Sequence, residues 1–255
     1  MKIAYAVPNT LITKAECKRR EELCREWAFP GTEVTFITFE EGPATIESRY
    51  EEMLSIPLLA KEAVRLEEEG YDALILGCGN DPGLEILREL TTKMLVTGPM
   101  QASLLIAASL GSRFSILTPN AGSVNIAYEL ASKNGISDKL HAVISLDLNV
   151  TDLYAEENKR RITSQIIDVA GKEKTNHHVD TIVFACLSLS YMDITQEVED
   201  ALGIRVIHSP RAVLKFTEAL VGAGLRHSKA AYPLPQKIEK GIVQTVDELY
   251  VQRFE

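Results

Sequence analysis

The chain has 255 residues, 45% of them apolar, enough to bury one large core or two of ordinary size. Its formal charge of −9 and pI near 5.2 argue against nucleic acid or an anionic membrane as partner, since neither would gain counterion release or surface attraction, and leave a small-molecule ligand as the expected partner. Residues 1–7 are too few for a signal-peptide core, no stretch approaches the ~18–20 apolar residues of a membrane span, and the four cysteines are expected to stay reduced in the cytoplasm.

In chain order the first expected elements are a strand over 3–7 that ends at Pro8-Asn9, a helix over 13–27, and a strand over 33–39 where β-branched and aromatic residues alternate with polar ones. The loop Glu41-Gly42-Pro43 leads into a helix over 46–69 that Gly70 caps, with Glu67-Glu68-Glu69 as its solvated end. A strand over 73–76 delivers Cys78. Asp81-Pro82-Gly83 then starts a helix to about residue 91, a strand covers 94–97, and Pro99 opens a helix to 110.

From residue 114 the order repeats. A strand over 114–118 ends at Pro119-Asn120, followed by a helix over 122–134 ending at Gly135, a strand over 142–147, a helix over 152–170 ending at Gly171, and a strand over 181–185 that delivers Cys186. A helix over 193–202 stops at Gly203, a strand covers 205–208, and Pro210 opens another helix to about 221. Pro8 to Cys78 is 70 positions and Pro119 to Cys186 is 67, while Asp72 to Cys78 and Asp180 to Cys186 are each 6. Strands separated by helices imply parallel sheets with right-handed crossovers, covered on both faces. The expected fold is α/β: two similar Rossmann-like (flavodoxin-like) domains with parallel sheets, related by pseudo-twofold symmetry, with the active site in the cleft between them. The expected boundaries are 1–98 plus 210–255 for the first domain and 99–209 for the second, residues 223–255 forming a loop and final helix that pack back on the first.

In open parallel sheets ligands bind beyond the carboxyl ends of the strands, where Pro8-Asn9, Cys78, Pro119-Asn120 and Cys186 all fall. Two thiols reaching one cleft from opposite sides suit removal of a proton from one face of a carbon and its return to the other. Backbone N–H groups in the loop Gly79–Gly83 are expected to favour a thiolate and a substrate oxyanion; an unperturbed thiol has a pKa of about 8.5. Cys17 and Cys24, seven apart on one helix face, are read as passive. His177-His178 are read as a solvated pair, and no histidine spacing suggests a metal. The segment from Gly77 to Pro82 lacks the third glycine of a dinucleotide loop.

Pro8-Asn9-Thr10, Gly42–Ser48 with Tyr50, Cys78–Leu84 and the tail Gly224–Lys229 resemble the Asp/Glu/hydantoin racemase superfamily, the hydantoin racemase branch above all. The resemblance implies no cofactor, a homo-oligomer, and Cys78 and Cys186 as paired acid and base. It places Pro8, Asn9, Thr10, Ile46, Ser48, Gly79, Asn80, Thr118, Leu187 and Ser188 around the substrate. Two positions depart from the branch: Leu187-Ser188-Leu189 replaces a small Gly-Met-type turn, and Gln101 stands where relatives carry glutamate.

The implied reaction is racemisation of a 5-substituted hydantoin or related cyclic ureide, its enolate held by N–H groups of the two cysteine loops with Asn80 and Ser188. The alternatives are an allantoin or open-chain amino-acid (Asp/Glu) racemase, a maleate-type isomerase, or a non-catalytic metabolite-binding relative. A diacid would require cations at the mouth, and the segments Pro8–Thr10, Gly42–Ser48, Gly79–Asp81 and Leu187–Ser190 contain no Lys or Arg, which favours a neutral ring.

Overall fold

Apolar runs too short for helices form the central strands, and each is buried along nearly its whole length. The structure, a computed structural model, describes residues 1–243 and 245–251. The first half runs β1 (Lys2–Val7), α1 (Lys14–Trp27), β2 (Glu33–Thr38), α2 (Arg49–Glu68), β3 (Ala73–Leu76), α3 (Leu84–Leu90) and β4 (Leu95–Thr97). After α4 (Pro99–Leu110) the second half runs β5 (Phe114–Thr118), α5 (Val124–Lys133), β6 (Leu140–Ser145), α6 (Lys159–His177), β7 (Thr181–Phe184), α7 (Leu187–Tyr191), α8 (Thr195–Leu202) and β8 (Arg205–Ile207). Helix α9 (Ser209–Gly222) and the short helices α10 (Gln236–Glu239) and α11 (Val246–Val251) complete it.

Both sheets are four-stranded and parallel, in the orders β2-β1-β3-β4 and β6-β5-β7-β8, so the doubled sequence is a doubled topology. The repeated aspartate also has a shared purpose: it ties the start of one inner strand to the start of the other. Asp72 accepts a hydrogen bond from the backbone N–H of Lys2 at 2.8 Å, and Asp180 accepts from those of Ser112 and Arg113 at 2.8 and 3.2 Å.

The connecting helices cross over between the halves. Met100, Leu104 and Ala107 of α4 pack with Phe114, Ile116 and Val183 of the second sheet, whereas Val213 and Leu214 of α9 return to the first, beside Tyr5 and Ile75. Leu187 and Tyr191 of α7, although carried by the second half, lie in that same first-half core. The described part of the tail contacts the first half. Lys229 Nζ donates to the carbonyls of Arg88, Glu89 and Thr91 at 2.9–3.0 Å, closing the end of α3, and α11 packs on α2.

Several expectations change. Helix α2 starts at Arg49 because Ser48 is its N-cap, leaving Ile46 and Glu47 in the loop. The helix expected over 152–170 begins only at Lys159, after two 3-10 turns at Val150–Tyr154 and Glu156–Asn158, and runs through Gly171 to a left-handed cap at His178. Its last turns hold it past the glycine: Glu173 accepts from Ser115 and Lys174 reaches the Leu202 carbonyl. Glu67 is no free solvated end, since its carboxylate accepts the N–H groups of Thr92, Lys93 and Met94.

Candidate active site

Each cysteine hangs two residues beyond the end of a central strand, on a backbone pinned by the inner strand beside it. Gly77 N–H donates to Ala6 O at 2.6 Å before Cys78, and Ala185 N–H donates to Leu117 O at 2.9 Å before Cys186. The two loops then meet. A Cβ on Gly79 would fall 1.6 Å from the Ala185 carbonyl oxygen, so only glycine permits this backbone-on-backbone contact. Gly122 similarly meets the Glu47 carbonyl, bringing the Gly42–Ser48 loop onto the second half, where Asn120 donates to Glu47 at 2.8 Å.

Cys78 and Cys186 line the same cleft, which divides into two small chambers that share both cysteines with Ile46, Gly79 and Val150. One chamber, of about 50 Å³, is bounded further by Asn9, Arg20, Tyr154, Leu187 and Ser188. The other, of about 40 Å³, is bounded by Asn80, Thr118, Pro119, Asn120 and Ser123. Buried in these walls are two unpaired amide atoms of opposite character: the acceptor Asn9 Oδ1 and the donor Asn80 Nδ2. Glu52 lies beside Asn80, whose amide eases its burial-raised carboxyl without a hydrogen bond of normal geometry.

The thiols differ electrostatically. Burial pushes both up. For Cys78 the N–H of Asn80 opposes that rise, while the nearby charges of Glu52, Cys186 and Asp81 add to it. Cys186 is relieved by the N–H groups of Ser188 and Leu189, by the positive charge of Arg20 and by the Ser188 hydroxyl. From sequence these backbone donors are expected to serve a substrate oxyanion as well; in the structure they address the sulfurs. The short helix α7, which supplies two of them, is too brief to announce itself in a periodicity.

Arg20 is the cleft-lining residue that the sequence conceals. It stands on α1, outside the mouth segments, and is only 5% exposed, yet it lines the cysteine chamber and so overturns the expectation of a cation-free mouth. Glu16 accepts its Nε at 2.7 Å, Ser188 accepts its Nη2 at 3.3 Å, and the guanidinium stacks on Tyr191 at 4.3 Å. Cation–π contact and an ion pair let this charge be buried. Val150, just before the expected helix, and Tyr154, within it, share a 3-10 turn and are equally hidden.

Among the residues expected around the substrate, Asn9, Ile46, Gly79, Asn80, Thr118, Leu187 and Ser188 line these chambers. Pro8, Thr10 and Ser48 do not. Pro8 is buried at the end of β1; Thr10 is exposed, its N–H and hydroxyl both donating to Pro43 O; and Ser48 caps α2, its hydroxyl engaged with Glu51. Gln101 bridges the halves, accepting from Arg88 at 2.6 Å and donating to Asn134 at 2.8 Å. Cys24 is buried 3.4 Å from the Tyr191 hydroxyl, its thiol pushed up to about 12 chiefly by burial, as suits a passive residue.

His177 and His178 are both exposed but serve different neighbours. His178 caps α6, while His177 packs on His141, the ring centroids 4.4 Å apart, with Glu173 alongside. Among the described residues these three form the one metal-capable grouping, their ligand atoms within 4.8 Å of one another, and it sits at the amino end of β6, opposite the cysteine end of the sheet. Arg113 Nη2 lies 2.7 Å from His141 Nδ1, an unfavourable neighbour for a cation.

Two duplicated parallel sheets thus carry a thiol at matching strand ends of an α/β architecture. Residues 7–217 match the Asp/Glu/Hydantoin racemase family, and the chain belongs to it, as an enzyme of the racemase and isomerase type. It is 31% identical to a hydantoin racemase of Pseudomonas sp. (strain NS671) over 94% of both chains, and 33% identical to one of Rhizobium meliloti over 76% of this chain and 79% of that one. The fold matches allantoin racemase from Klebsiella pneumoniae with TM-score 0.83 and 26% identity, covering 92% of this chain and 93% of that one. Among the described residues no helix is long and apolar enough to cross a membrane.

Proposed function

We propose that the protein racemises a 5-substituted hydantoin or related cyclic ureide without a cofactor, using Cys78 and Cys186 as the acid and base. What supports the reading most is the pairing of two thiols in one cleft with an unsatisfied acceptor, Asn9 Oδ1, and an unsatisfied donor, Asn80 Nδ2. Buried polar atoms without partners are costly, and a ring presenting amide N–H and C=O groups would satisfy both.

C5 of such a ring lies between a carbonyl carbon and a nitrogen. One sulfur, as thiolate, takes the C5 proton; the C–H electron pair moves into the ring and charge develops on the carbonyl oxygen, which Asn80 Nδ2 is placed to receive. The opposite thiol then gives its proton to the other face of C5 and becomes the thiolate. Atoms and charge balance, and the enzyme emerges ready for the opposite enantiomer. Arg20 and three donors favour the charge on Cys186, so Cys186 is the resting base and Cys78 the resting acid. Desolvation makes the thiolate a stronger base, which a weakly acidic carbon requires.

Cys78→Ser and Cys186→Ser are each expected to abolish racemisation, followed by polarimetry on a panel of hydantoins, allantoin, aspartate and glutamate, with the thermal melt preserved. Full racemisation by either single variant refutes the two-cysteine scheme, and turnover confined to open-chain amino acids refutes the cyclic substrate.

A further inference from the structure

Beside the chamber that holds Arg20 lies a larger cavity of about 300 Å³, and the two share Arg20, Tyr154 and Ser188. On the opposite side the second chamber shares only Asn80 with the 290 Å³ cavity beyond it. When C5 is planar its substituent lies in the ring plane, midway between the two sulfurs, and must leave the cleft on one of these two sides. The Arg20 side is the broader connection.

Charge distinguishes that side further. Arg19 donates to Glu16 through Nε and Nη2 at 2.7 and 2.8 Å, and Arg20 donates to the same carboxylate. One carboxylate therefore serves two guanidinium groups at the boundary between the two spaces. Arg20 Nη1 has no protein acceptor among the described residues, and the wall of the larger cavity adds Lys159 together with Glu156 and Asp193, so the pull on an anion comes from the Arg20 fork itself. A buried, stacked guanidinium held in place by Glu16 and Ser188 is a preorganised fork for a carboxylate.

Resting on the racemase reading above, we infer that this cavity is the subsite for the C5 substituent and that it selects an acidic one: the substrate is a hydantoin whose side chain ends in a carboxylate, received by Arg20. Ser188, one of the positions at which this chain departs from the hydantoin racemase pattern, holds the guanidinium in that orientation and is a positioning residue.

The test compares racemisation of 5-(2-carboxyethyl)hydantoin with its isosteric amide, 5-(2-carbamoylethyl)hydantoin, and with 5-isobutylhydantoin. The wild-type enzyme is expected to favour the acid by about tenfold or more in kcat/KM, the difference lying in KM. Arg20→Gln is expected to erase the acid-over-amide difference in KM, on top of a fall in kcat shared by all three substrates because its charge also supports the Cys186 thiolate, and Arg20→Lys to restore part of both. Equal kcat/KM for acid and amide in the wild type overturns the inference even if Arg20→Gln fails to fold. An acid-over-amide preference that persists undiminished in Arg20→Gln also overturns it, because the carboxylate is then received elsewhere. Absence of turnover on every hydantoin overturns the racemase reading instead, so the two failures are distinguishable.

Discussion

Gly79→Ala tests whether the contact between the cysteine loops sets the site. The new methyl carbon would lie 1.6 Å from Ala185 O and 2.8 Å from its carbonyl carbon, where ordinary contact begins at 3.4 Å. Backbone atoms cannot rotate out of the way as side chains do, so the loops must separate by about 1.8 Å along that direction. Overpacking of this kind costs about 1–3 kcal/mol, and at this chain length each kcal/mol lowers Tm by about 2–4 °C. Misplacing reacting groups by about 1 Å costs on the order of 10²-fold in rate. The variant is therefore expected to melt several degrees lower, to lose at least two orders of magnitude in racemisation, and to expose Cys78 and Cys186 to faster alkylation. Gly222→Ala, which meets nothing within 4 Å, serves as the control and should leave all three unchanged. If Gly79→Ala matches the wild type in melting, rate and alkylation, the loops do not touch as described and the shared cleft loses its basis.

Under limiting iodoacetamide, Cys186 is expected to be modified before Cys78, read by peptide mass spectrometry, because Arg20 and the N–H groups of Ser188 and Leu189 favour its thiolate; the reverse order refutes the assignment of resting base. Burial raises Asp81 to about 7, well above its unfolded value, so the stability held by its protonated form is full below about pH 4 and is lost as pH rises through about 7. The melting difference between wild type and Asp81→Asn should accordingly change in the wild type's disfavour from pH 5 to pH 8, and a flat difference refutes it. Lys229→Met should lower stability by about 1–3 kcal/mol in denaturant unfolding, since three carbonyls at the end of α3 lose one charged donor; an unchanged midpoint refutes the strap.

The doubled topology was legible because strands and their terminal Asp, Pro and Cys recur at matching intervals, and those positions answer to local backbone needs. Asp72 and Asp180 tie strand starts, and Gly77 and Ala185 sit on equivalent ladder bonds. Arg20 was not legible, because its burial depends on Tyr154 and Tyr191, more than 130 positions away along the chain. The turn at Val150–Tyr154 was hidden for a related reason. Its polar and apolar residues satisfy a helical pattern, and the capping of Asn149 by Asp152 diverts the backbone into a 3-10 turn. Ser48 and Thr10 show the converse: residues in a recognisable motif that serve backbone geometry, leaving the chambers to their neighbours.

The exchange of α4 and α9 between the sheets, with Leu187 and Tyr191 embedded in the opposite core, makes the two halves a single mechanical unit. Neither half severed from the other retains the partners its apolar faces demand, so a chain cut after residue 98 is expected to aggregate as separate pieces and to recover only when both are renatured together.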